Sequence, residues 1–554
     1  MKKILLPCLL GLTCFLAGAF VANHDDPQKP LTTDVVEAAA RVFGLDFTSA
    51  ERDSMVSDLN SKRNDYATIR TVDLTNDVAP ALYFNPLPAH FKMPTGPSSF
   101  KTSTMGVVKL PANRNELAFY TVAQLGELIR TRQISSEDLT RFFLTRLKTY
   151  DPKLHCVVTL TEDLALQQAR RADAELKAGK YRGPLHGIPY GAKDLLAKKG
   201  YKTTWGSVPY KDQVLDLDAT VIQRLEAAGA VLCAKLSMGE LAMGDVWFGG
   251  MTRNPWDIET GSSGSSAGAG SSVSAGLLPF AIGTETLGSI VSPSTVCGLT
   301  GLRPTFGRVS RHGAMALSWS MDKIGPMTRS VEDCAMVFNA IYGPDGNDPT
   351  VIAAPFRYAS VASLKGMKIG YLDKAFASDY PNKANDAATL ETLRKLGATL
   401  VPITLPAFNY GALRLIIGVE GGAAFDELTR NNKDDLMVRQ GRNAWPSVFR
   451  SARFVPAVEY LQANRIRTKL INEMHEVLQK AGVDAYISPT YAGGNLTLTN
   501  LTGHPCVVLP NGFTAKGLPT SITFMGGLFT EGYVLAIAKA YQDATDWHKK
   551  HPAL

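Results

Sequence analysis

Apolar residues follow two different patterns along this chain. Apolar side chains recur at helical spacing over residues 122–147 and 164–176, whereas Val231-Leu232-Cys233 and residues 367–372 are short, continuous apolar runs. The first pattern is typical of helices with one buried face, and the second is typical of buried strands. Helical stretches that alternate with short strands predict an α/β fold.

Helical spacing is also present near the N-terminus, ahead of a proline-rich stretch. Residues 33–69 carry apolar side chains at this spacing, and Thr48 with Glu51 forms a capping-box pattern. A connection follows with prolines at positions 86, 88, 94 and 97. We expect residues 20–112 to form an N-terminal helical extension with this connection, and residues 113–554 to form the main domain.

The first residues have the pattern of an export signal. Met1-Lys2-Lys3 precedes an apolar stretch over residues 4–16, and Ala17-Gly18-Ala19 offers a cleavage site. We therefore predict a bacterial signal peptide over residues 1–19, a periplasmic or secreted protein, and no stable membrane span after cleavage. The apolar stretch is short for a spanning helix and contains Pro7, and an uncleaved signal that anchors the protein is the alternative.

Charge and cysteine content argue against several classes of function. The net charge of +7 is small for 554 residues and no basic block is present, so we predict no nucleic-acid partner. We also predict no cofactor. The cysteines that follow the signal are odd in number and lack Cys-x-x-Cys spacing, which predicts neither a disulfide framework nor a metal site; they are Cys156, Cys233, Cys297, Cys334 and Cys506.

Residues 261–304 form a run rich in glycine and serine. These residue types allow unusual backbone angles and close approach to a ligand, but they are also typical of flexible linkers. Apolar residues such as Leu278, Phe280 and Ile282 interrupt the run and need burial, which a linker does not provide. The run therefore predicts a catalytic loop that brings backbone N–H groups and a serine hydroxyl to one carbonyl group.

Several motifs in and around this run follow one another in a fixed order. In chain order they are Gly183-Pro184-Leu185-His186-Gly187-Ile188-Pro189-Tyr190-Gly191-Ala192-Lys193-Asp194, Asn254-Pro255-Trp256-Asp257, Ser263-Gly264-Ser265-Ser266-Ala267-Gly268, Gly283-Thr284-Glu285-Thr286-Leu287-Gly288-Ser289-Ile290-Val291-Ser292-Pro293 and Cys297-Gly298-Leu299-Thr300-Gly301-Leu302-Arg303-Pro304-Thr305. This order resembles the signature of the amidase signature family of serine amidohydrolases. The resemblance extends from about residue 116 to the C-terminus.

The resemblance implies a fold and three catalytic roles. The family's α/β fold has a large central mixed β-sheet covered by α-helices on both sides, so residues 113–554 would be an amidase domain. By position, Ser289 corresponds to the family's nucleophile and Lys193 to the base, which a strand delivers. Ser265 corresponds to the serine that follows a cis peptide bond and relays protons between them.

The turn before Ser289 and the Lys193 segment supply what amide cleavage needs. The reaction requires an activated nucleophile, donors for the developing oxyanion and a proton for the leaving nitrogen. Lys193 accepts a proton only when neutral, so we expect burial to lower its pKa from about 10.4 towards neutrality. Taken alone, the Lys193-Asp194 pair is more often a solvated surface pair. The backbone donors expected at the oxyanion are those of Thr286, Leu287, Gly288 and Ser289.

Three positions in the segment that carries Ser289 depart from the family pattern. Glu285 stands where the family has aspartate, Leu287 where it has glycine, and Val291 where it has arginine. Leu287 keeps its N–H group but adds a branched side chain, which we expect to narrow or redirect the acyl pocket. Without the arginine, Glu285 needs another donor, which the sequence does not identify.

We therefore predict an amidase that hydrolyses a carboxylic amide to an acid and ammonia or an amine through an acyl-enzyme on Ser289. Its partner would be a small-molecule or peptide amide substrate, and the protein would be a monomer or homodimer. One alternative is an A-type glutaminase subunit of an amidotransferase, against which the export signal argues. The other is a binding protein on an inactivated amidase scaffold, against which the presence of Lys193, Ser265 and Ser289 argues.

Overall fold

The structure, a computed structural model, describes residues 30–554 except positions 70, 73 and 79. The predicted signal peptide, residues 1–19, lies outside the described residues. Contacts divide the chain into two compact units between Thr75 and Asn76. In the part of the chain that is described, no helix is both long enough and apolar enough to cross a membrane.

Within the described residues, the first unit contains two helices, α1 (Thr33–Val42) and α2 (Ser49–Ile69). The α2 helix begins with a reciprocal cap. Glu51 Oε2 accepts a hydrogen bond from the Thr48 backbone N–H at 2.7 Å, and Thr48 Oγ1 accepts one from the Glu51 N–H at 3.3 Å. The predicted helices and capping box are thus confirmed.

The second unit is built on a mixed β-sheet. Its strands are β1 (Ser99–Lys101), β2 (Val157–Leu160), β3 (Pro189–Lys193), β4 (Val231–Leu236), β5 (Val246–Trp247), β6 (Gly250–Met251), β7 (Arg253–Asn254), β8 (Asp257–Gly261), β9 (Phe280–Glu285), β10 (Thr300–Arg303), β11 (Lys323–Thr328), β12 (Arg357–Ala359), β13 (Lys368–Leu372), β14 (Thr399–Ile403), β15 (Ala485–Pro489), β16 (Cys506–Phe513) and β17 (Pro519–Gly526). Eleven of them form one sheet in the order β14-β13-β15-β17-β16-β10-β11-β9-β3-β4-β2. In this sheet β3 pairs in parallel with β4 and β9, and β13 with β14 and β15, while the other neighbours are antiparallel.

Helices pack against this sheet, as the α/β prediction requires. The helices of this unit, some of which pack on other helices rather than on the sheet, are α3 (Val122–Arg130), α4 (Ser136–Leu154), α5 (Glu162–Lys177), α6 (Thr220–Ala227), α7 (Ala267–Ser274), α8 (Val291–Cys297), α9 (Val331–Ile341), α10 (Asp373–Ala377), α11 (Lys383–Lys395), α12 (Leu415–Ala424), α13 (Asp426–Arg430), α14 (Trp445–Ala452), α15 (Ala457–Ala481), α16 (Asn495–Thr502) and α17 (Glu531–Asp543). The predicted fold class, a large mixed sheet covered by helices, is confirmed.

The helical stretch predicted over residues 122–147 is two helices, α3 and α4. The chain turns between them at Arg132, which has a positive φ of 58°. Ser135 then caps α4 by accepting a hydrogen bond from the Asp138 N–H at 3.0 Å. The Ser135 side chain thus starts a new helix by bonding an N–H group of its first turn. The apolar spacing continues across the turn and does not reveal this break.

The larger unit includes residues 76–112, which the sequence pattern had assigned to the N-terminal extension. Prolines disfavour regular elements in this segment, but its other residues still find partners. Strand β1 pairs in parallel with β12, and the Phe84 ring packs edge-on against Phe306 with centroids 5.0 Å apart. Contacts thus place the division between the compact units after Thr75, and the predicted start of the amidase domain at residue 113 stays a prediction.

The two strands that position the candidate site lie side by side within the sheet. Because β3 and β9 are parallel neighbours, their carboxyl ends lie at the same edge. Lys193 is the last residue of β3 and Glu285 the last of β9. The segment that follows β9 carries Ser289 and leads into α8, so one edge of the sheet brings the lysine to the serine-rich loop.

Candidate active site

The glycine–serine run forms a tight loop ahead of α7. The Gly264–Ser265 peptide bond is cis, as the resemblance implies. A Cβ atom at Gly264 would lie 1.8 Å from the Gly244 carbonyl oxygen, so only glycine allows the backbone to come this close. Ser265, the next residue in the loop, is almost completely buried.

Lys193 is fully buried and surrounded by hydroxyl groups. Its Nζ lies 2.8 Å from Ser265 Oγ, 2.9 Å from Thr284 Oγ1 and 3.2 Å from Ser266 Oγ. Burial lowers the pKa of Lys193 from 10.5 to about 7, although Asp322 and Glu285 act in the opposite direction. The direction of this shift agrees with the lowering expected for a lysine base, and an amine with a pKa of about 7 is about half unprotonated at neutral pH.

Lys193 and its chain neighbour Asp194 do not form a solvated surface pair. Both are buried, and Asp194 instead pairs with Lys235 Nζ at 2.8 Å. Thr204 donates two further hydrogen bonds to the Asp194 carboxylate, from its backbone N–H at 2.8 Å and its hydroxyl at 2.5 Å. The carboxylate next to Lys193 in sequence therefore has partners of its own.

Ser289 lies beside the loop that carries Ser265 and Ser266. Its carbonyl oxygen accepts a hydrogen bond from the Ser266 N–H at 3.2 Å, and the residue is 7% exposed. The structure thus brings Lys193, Ser265 and Ser289 to one place, with Ser266 joining the segments. Ser266 also bonds the backbone of Thr284, accepting from its N–H and donating to its carbonyl, each at 3.1 Å.

The turn before Ser289 contains the predicted oxyanion donors. Gly288 has a positive φ of 86°, a conformation that favours glycine. Among the described residues, no acceptor forms a hydrogen bond with the backbone N–H groups of Leu287, Gly288 and Ser289. Leu287 is half-buried, and its side chain packs against an apolar cluster that includes Val291.

Glu285 organises the segment on either side of this turn. Its Oε2 accepts hydrogen bonds from the N–H groups of Ile290 at 2.8 Å and Val291 at 2.9 Å. Its Oε1 accepts from Arg303 Nη1 at 2.9 Å and from Asn500 Nδ2 at 2.8 Å. Burial alone would raise the pKa of Glu285, but the Arg303 charge and the backbone donors lower it to about 2.

Arg303 and Asn500 are therefore the donors that the sequence did not identify. Arg303 stands in the Gly301-Leu302-Arg303-Pro304 motif, and the family pattern has a lysine at this position. A long basic side chain in a buried strand was a detectable signal. Asn500 carried no comparable signal, because its role depends on how α16 packs.

A second carboxylate, Asp322, supports the turn from the other side. Thr286 donates from Oγ1 to Asp322 Oδ1 at 2.5 Å. The Leu317 and Ser318 N–H groups donate to Asp322 Oδ2 at 2.8 and 2.9 Å. Burial raises the pKa of Asp322, and these hydrogen bonds fix the position of the carboxyl group next to the turn.

A cavity of about 120 Å³ opens beside the site. It reaches the site through Thr284 and Thr286, whose hydroxyl groups bond Lys193 and Asp322. Within the described part of the chain, no group of three or more histidine, cysteine, aspartate or glutamate side chains is arranged to hold a metal ion. The five described cysteines are buried and unpaired. The side chains that meet at the site thus offer serine hydroxyls and one lysine amine, next to backbone donors.

Comparisons with known proteins agree with this arrangement. A family model described as Amidase matches residues 138–535. The A-type subunit of the glutamyl-tRNA(Gln) amidotransferase from Coxiella burnetii is 34% identical over 486 residues, which cover 78% of this chain and 99% of that protein. Among solved structures, the peptide amidase PAM in complex with the competitive inhibitor chymostatin is 30% identical with a TM-score of 0.71, covering 79% of this chain and 100% of that one.

An amidase family protein from Bacillus anthracis is similar to the same degree. It is 29% identical with a TM-score of 0.71, and the match covers 79% of this chain and 93% of that one. The chain belongs to the amidase family, whose members are hydrolases that act on carbon–nitrogen bonds.

Proposed function

We propose that the protein hydrolyses a carboxylic amide to an acid and ammonia or an amine, through an acyl-enzyme on Ser289. One observation carries the proposal: Lys193 is a buried amine with a pKa of about 7 whose Nζ lies 2.8 Å from Ser265 Oγ. Such an amine accepts a proton at neutral pH, whereas an ordinary lysine is charged. Ser265 lies between this base and the segment that carries Ser289.

In the first half of the reaction, neutral Lys193 accepts the proton of Ser265 while Ser265 accepts the proton of Ser289. The Ser289 oxygen forms a bond to the amide carbon, and the carbonyl electron pair moves to oxygen. The backbone N–H groups of Thr286, Leu287, Gly288 and Ser289 are the proposed donors to this oxyanion. Each such donor stabilises the transition state by about 3 kcal/mol.

The second half returns the proton and releases the acid. As the tetrahedral intermediate collapses, the carbon–nitrogen bond breaks and the proton on Lys193 passes through Ser265 to the leaving nitrogen. Ammonia or an amine departs and leaves an ester on Ser289. Water, activated by the same base, then attacks this ester and releases the acid with the free serine.

Labelling with a fluorophosphonate tests the nucleophile directly. We expect one adduct by intact-protein mass on the purified protein, no adduct on Ser289→Ala, and slower labelling of Lys193→Ala and Ser265→Ala. Ser272→Ala is the matched control, because Ser272 is also a buried serine in this region but its hydroxyl has no partner among the described residues. An adduct that persists on Ser289→Ala would contradict the assignment.

A glutaminase that serves an amidotransferase is the second candidate, because the match covers 99% of the length of the A-type amidotransferase relatives. Such a protein would work with partner chains, whereas we propose an enzyme that functions alone as a monomer or homodimer. Light scattering together with amide hydrolysis by the isolated protein separates the two. Activity towards glutamine that requires an added partner would favour the glutaminase.

We also propose export to the periplasm or medium, supported by the basic and apolar pattern of residues 1–19. Expression of the full chain in a bacterium, with fractionation and N-terminal sequencing, tests this. A new N-terminus at residue 20 in the periplasm would support cleavage. An intact Met1 in the membrane fraction would support the anchored alternative, and an intact cytoplasmic chain would contradict both.

A further inference from the structure

The cavity beside the site has one wall from outside the matched family region. Asn76 and Asp77 lie in this wall, well before residue 138, where the family match begins. The rest of the lining includes apolar side chains such as Leu195 and Met315. A segment that the family model does not cover therefore shapes the space next to Thr286.

Asn76 fixes the position of this wall. Its side-chain amide accepts a hydrogen bond from the Ala316 N–H at 2.7 Å and donates one to the Ala316 carbonyl at 2.9 Å. Two bonds to one residue hold the amide in a single orientation, much as a neighbouring strand would. Asp77, the next residue, is thereby held at the edge of the cavity.

Most charged groups that line the cavity are already paired. Arg311 Nε pairs with Asp348 at 3.2 Å, and its other nitrogens donate to the Trp319 carbonyl at 2.7 Å and to Thr350 Oγ1 at 2.8 Å. Asp322 has both carboxyl oxygens occupied by hydrogen-bond donors. Of the lining carboxylates, this leaves Asp77 to bind a ligand.

Lys323 and His312 are the remaining basic side chains in the lining. Lys323 Nζ donates to the Met321 carbonyl. Burial, with Arg303 nearby, holds the pKa of Lys323 well below its ordinary value. His312 is exposed at the rim of the cavity, as Asp77 is, so salt and water partly screen the charge of either side chain.

Asp77 differs from Asp322 and Asp348, the other carboxylates of the lining, because among the described residues no side chain or backbone group bonds its carboxylate. Trp319, which carries an indole ring, also lines the cavity. An unpaired carboxylate and an indole ring both attract a cation, the first by charge and the second through its electron-rich face. The apolar part of the lining suits the methylene stem of such a group.

We propose that this cavity receives a positively charged group of the substrate, an ammonium or guanidinium, and that Asp77 selects for it. The inference rests on the proposed amidase function and names its substrate class: amides that carry a cationic side group. The apolar residues would contact the chain between the amide and the charge. Asn76 acts as a positioning residue for Asp77.

Two pairs of amides that differ only in charge test this inference. The first pair, 6-aminohexanamide and hexanamide, carries the charge on the acyl side, and the second, N-(5-aminopentyl)acetamide and N-pentylacetamide, carries it on the amine side. We expect kcat/KM to favour the charged member of one pair by about fivefold or more. In Asp77→Asn this ratio should fall to near one, and in Asp77→Lys it should invert.

Asp379→Asn is the matched control, since Asp379 is an exposed aspartate that does not line the cavity, and its ratio should equal that of the wild type. Asn76→Ala should lower the ratio as Asp77→Asn does. Fluorophosphonate labelling of Ser289 runs in parallel. If Ser289 is labelled but kcat/KM does not favour the charged amide in either pair, the inference is overturned and the proposed function stands. If the protein shows neither labelling nor hydrolysis, the proposed function is overturned and the inference with it.

Discussion

At the scale of single residues, the site disfavours the charged form of one buried group, Lys193, and favours the charged form of another, Glu285. Lys193 is buried with hydroxyl partners only, so burial disfavours its charged form. Glu285 is equally buried but has Arg303 and two backbone N–H groups, so its charged form is favoured. The same polypeptide thus lowers the pKa of a buried amine to about 7 and that of a buried carboxyl group to about 2, both beside the proposed nucleophile Ser289.

The first prediction concerns pH. Lys193 acts as a base only when unprotonated, so kcat/KM for an uncharged amide should rise with pH and reach half its plateau near the pKa of about 7. Lys193→Ala should lower kcat/KM by about 10³-fold and remove this rise. A pH–rate profile for both proteins, with circular dichroism to verify folding at each pH, provides the measurement. A flat wild-type profile from about pH 5 to 9 would be incompatible with a lysine base.

The second prediction concerns the Glu285–Arg303 pair. Arg303→Met leaves a buried carboxylate without its main cation, which should lower the free energy of unfolding by about 3 to 5 kcal/mol. Urea denaturation measures the change. Adding Glu285→Gln to the same chain should recover part of the loss, because the uncompensated charge is removed. Arg394→Met, which breaks an exposed pair with Glu391, is the control and should have little effect.

The sequence was sufficient to predict the positions of site residues that lie within the ordered motifs. Lys193, Ser265 and Ser289 could be placed together because the order of motifs carried the information, and the structure brings them to one place. The partners of Glu285 could not be predicted in the same way. Asn500 reaches it from a helix more than two hundred positions later in the chain, and only tertiary packing fixes such a contact.

At the scale of elements, the site is a product of strand order. The parallel pairing of β3 with β9 places the last residue of each at one edge, and the segment after β9 then turns towards the lysine. Apolar periodicity identified α5, β4 and β13, but it could not show where α3 ends and α4 begins. That break depends on a cap at Ser135, which is a polar signal rather than an apolar one.

A third prediction tests the turn. Gly288→Ala places a Cβ 3.1 Å from Ser292 Oγ at a φ of +86°, so the backbone should shift and move the proposed oxyanion donors. We expect kcat to fall by about 10²-fold with a smaller change in KM. Gly366 has a similar φ of +84° and no heavy atom within 4 Å. Gly366→Ala should therefore share the backbone strain but retain activity, and equal losses in the two variants would argue against a role for the turn.

At the scale of the whole molecule, the chain is two compact units, and the larger one includes the proline-rich segment. Within that unit, Phe84 lies against the buried Arg467 guanidinium at 3.5 Å. Ser103 donates to Glu332 from its backbone N–H at 2.7 Å. These contacts could not be read from a stretch whose sequence is typical of a connection, because prolines interrupt regular elements without preventing packing.

The fourth prediction compares two shortened chains. A protein of residues 76–554 should fold and unfold cooperatively, because it retains the whole of its compact unit. A protein of residues 113–554 should aggregate or unfold at lower urea concentration, because it loses β1 and the contacts of Phe84. Expression of both, followed by urea denaturation, is the measurement. Equal stability of the two proteins would support the boundary predicted from the sequence, at residue 113.

The hydrogen bonds of Asn76 to Ala316 hold a cavity-lining stretch that is distant in sequence from the proposed catalytic residues. The groups that would break the amide bond all lie after residue 138, while a short stretch before it is held against the cavity by one side-chain amide. Changes in that stretch can accumulate without touching the lysine or the serines. Related proteins that keep this attachment could therefore change their amide specificity through substitutions in this short stretch alone. The same stretch is a compact target for laboratory evolution.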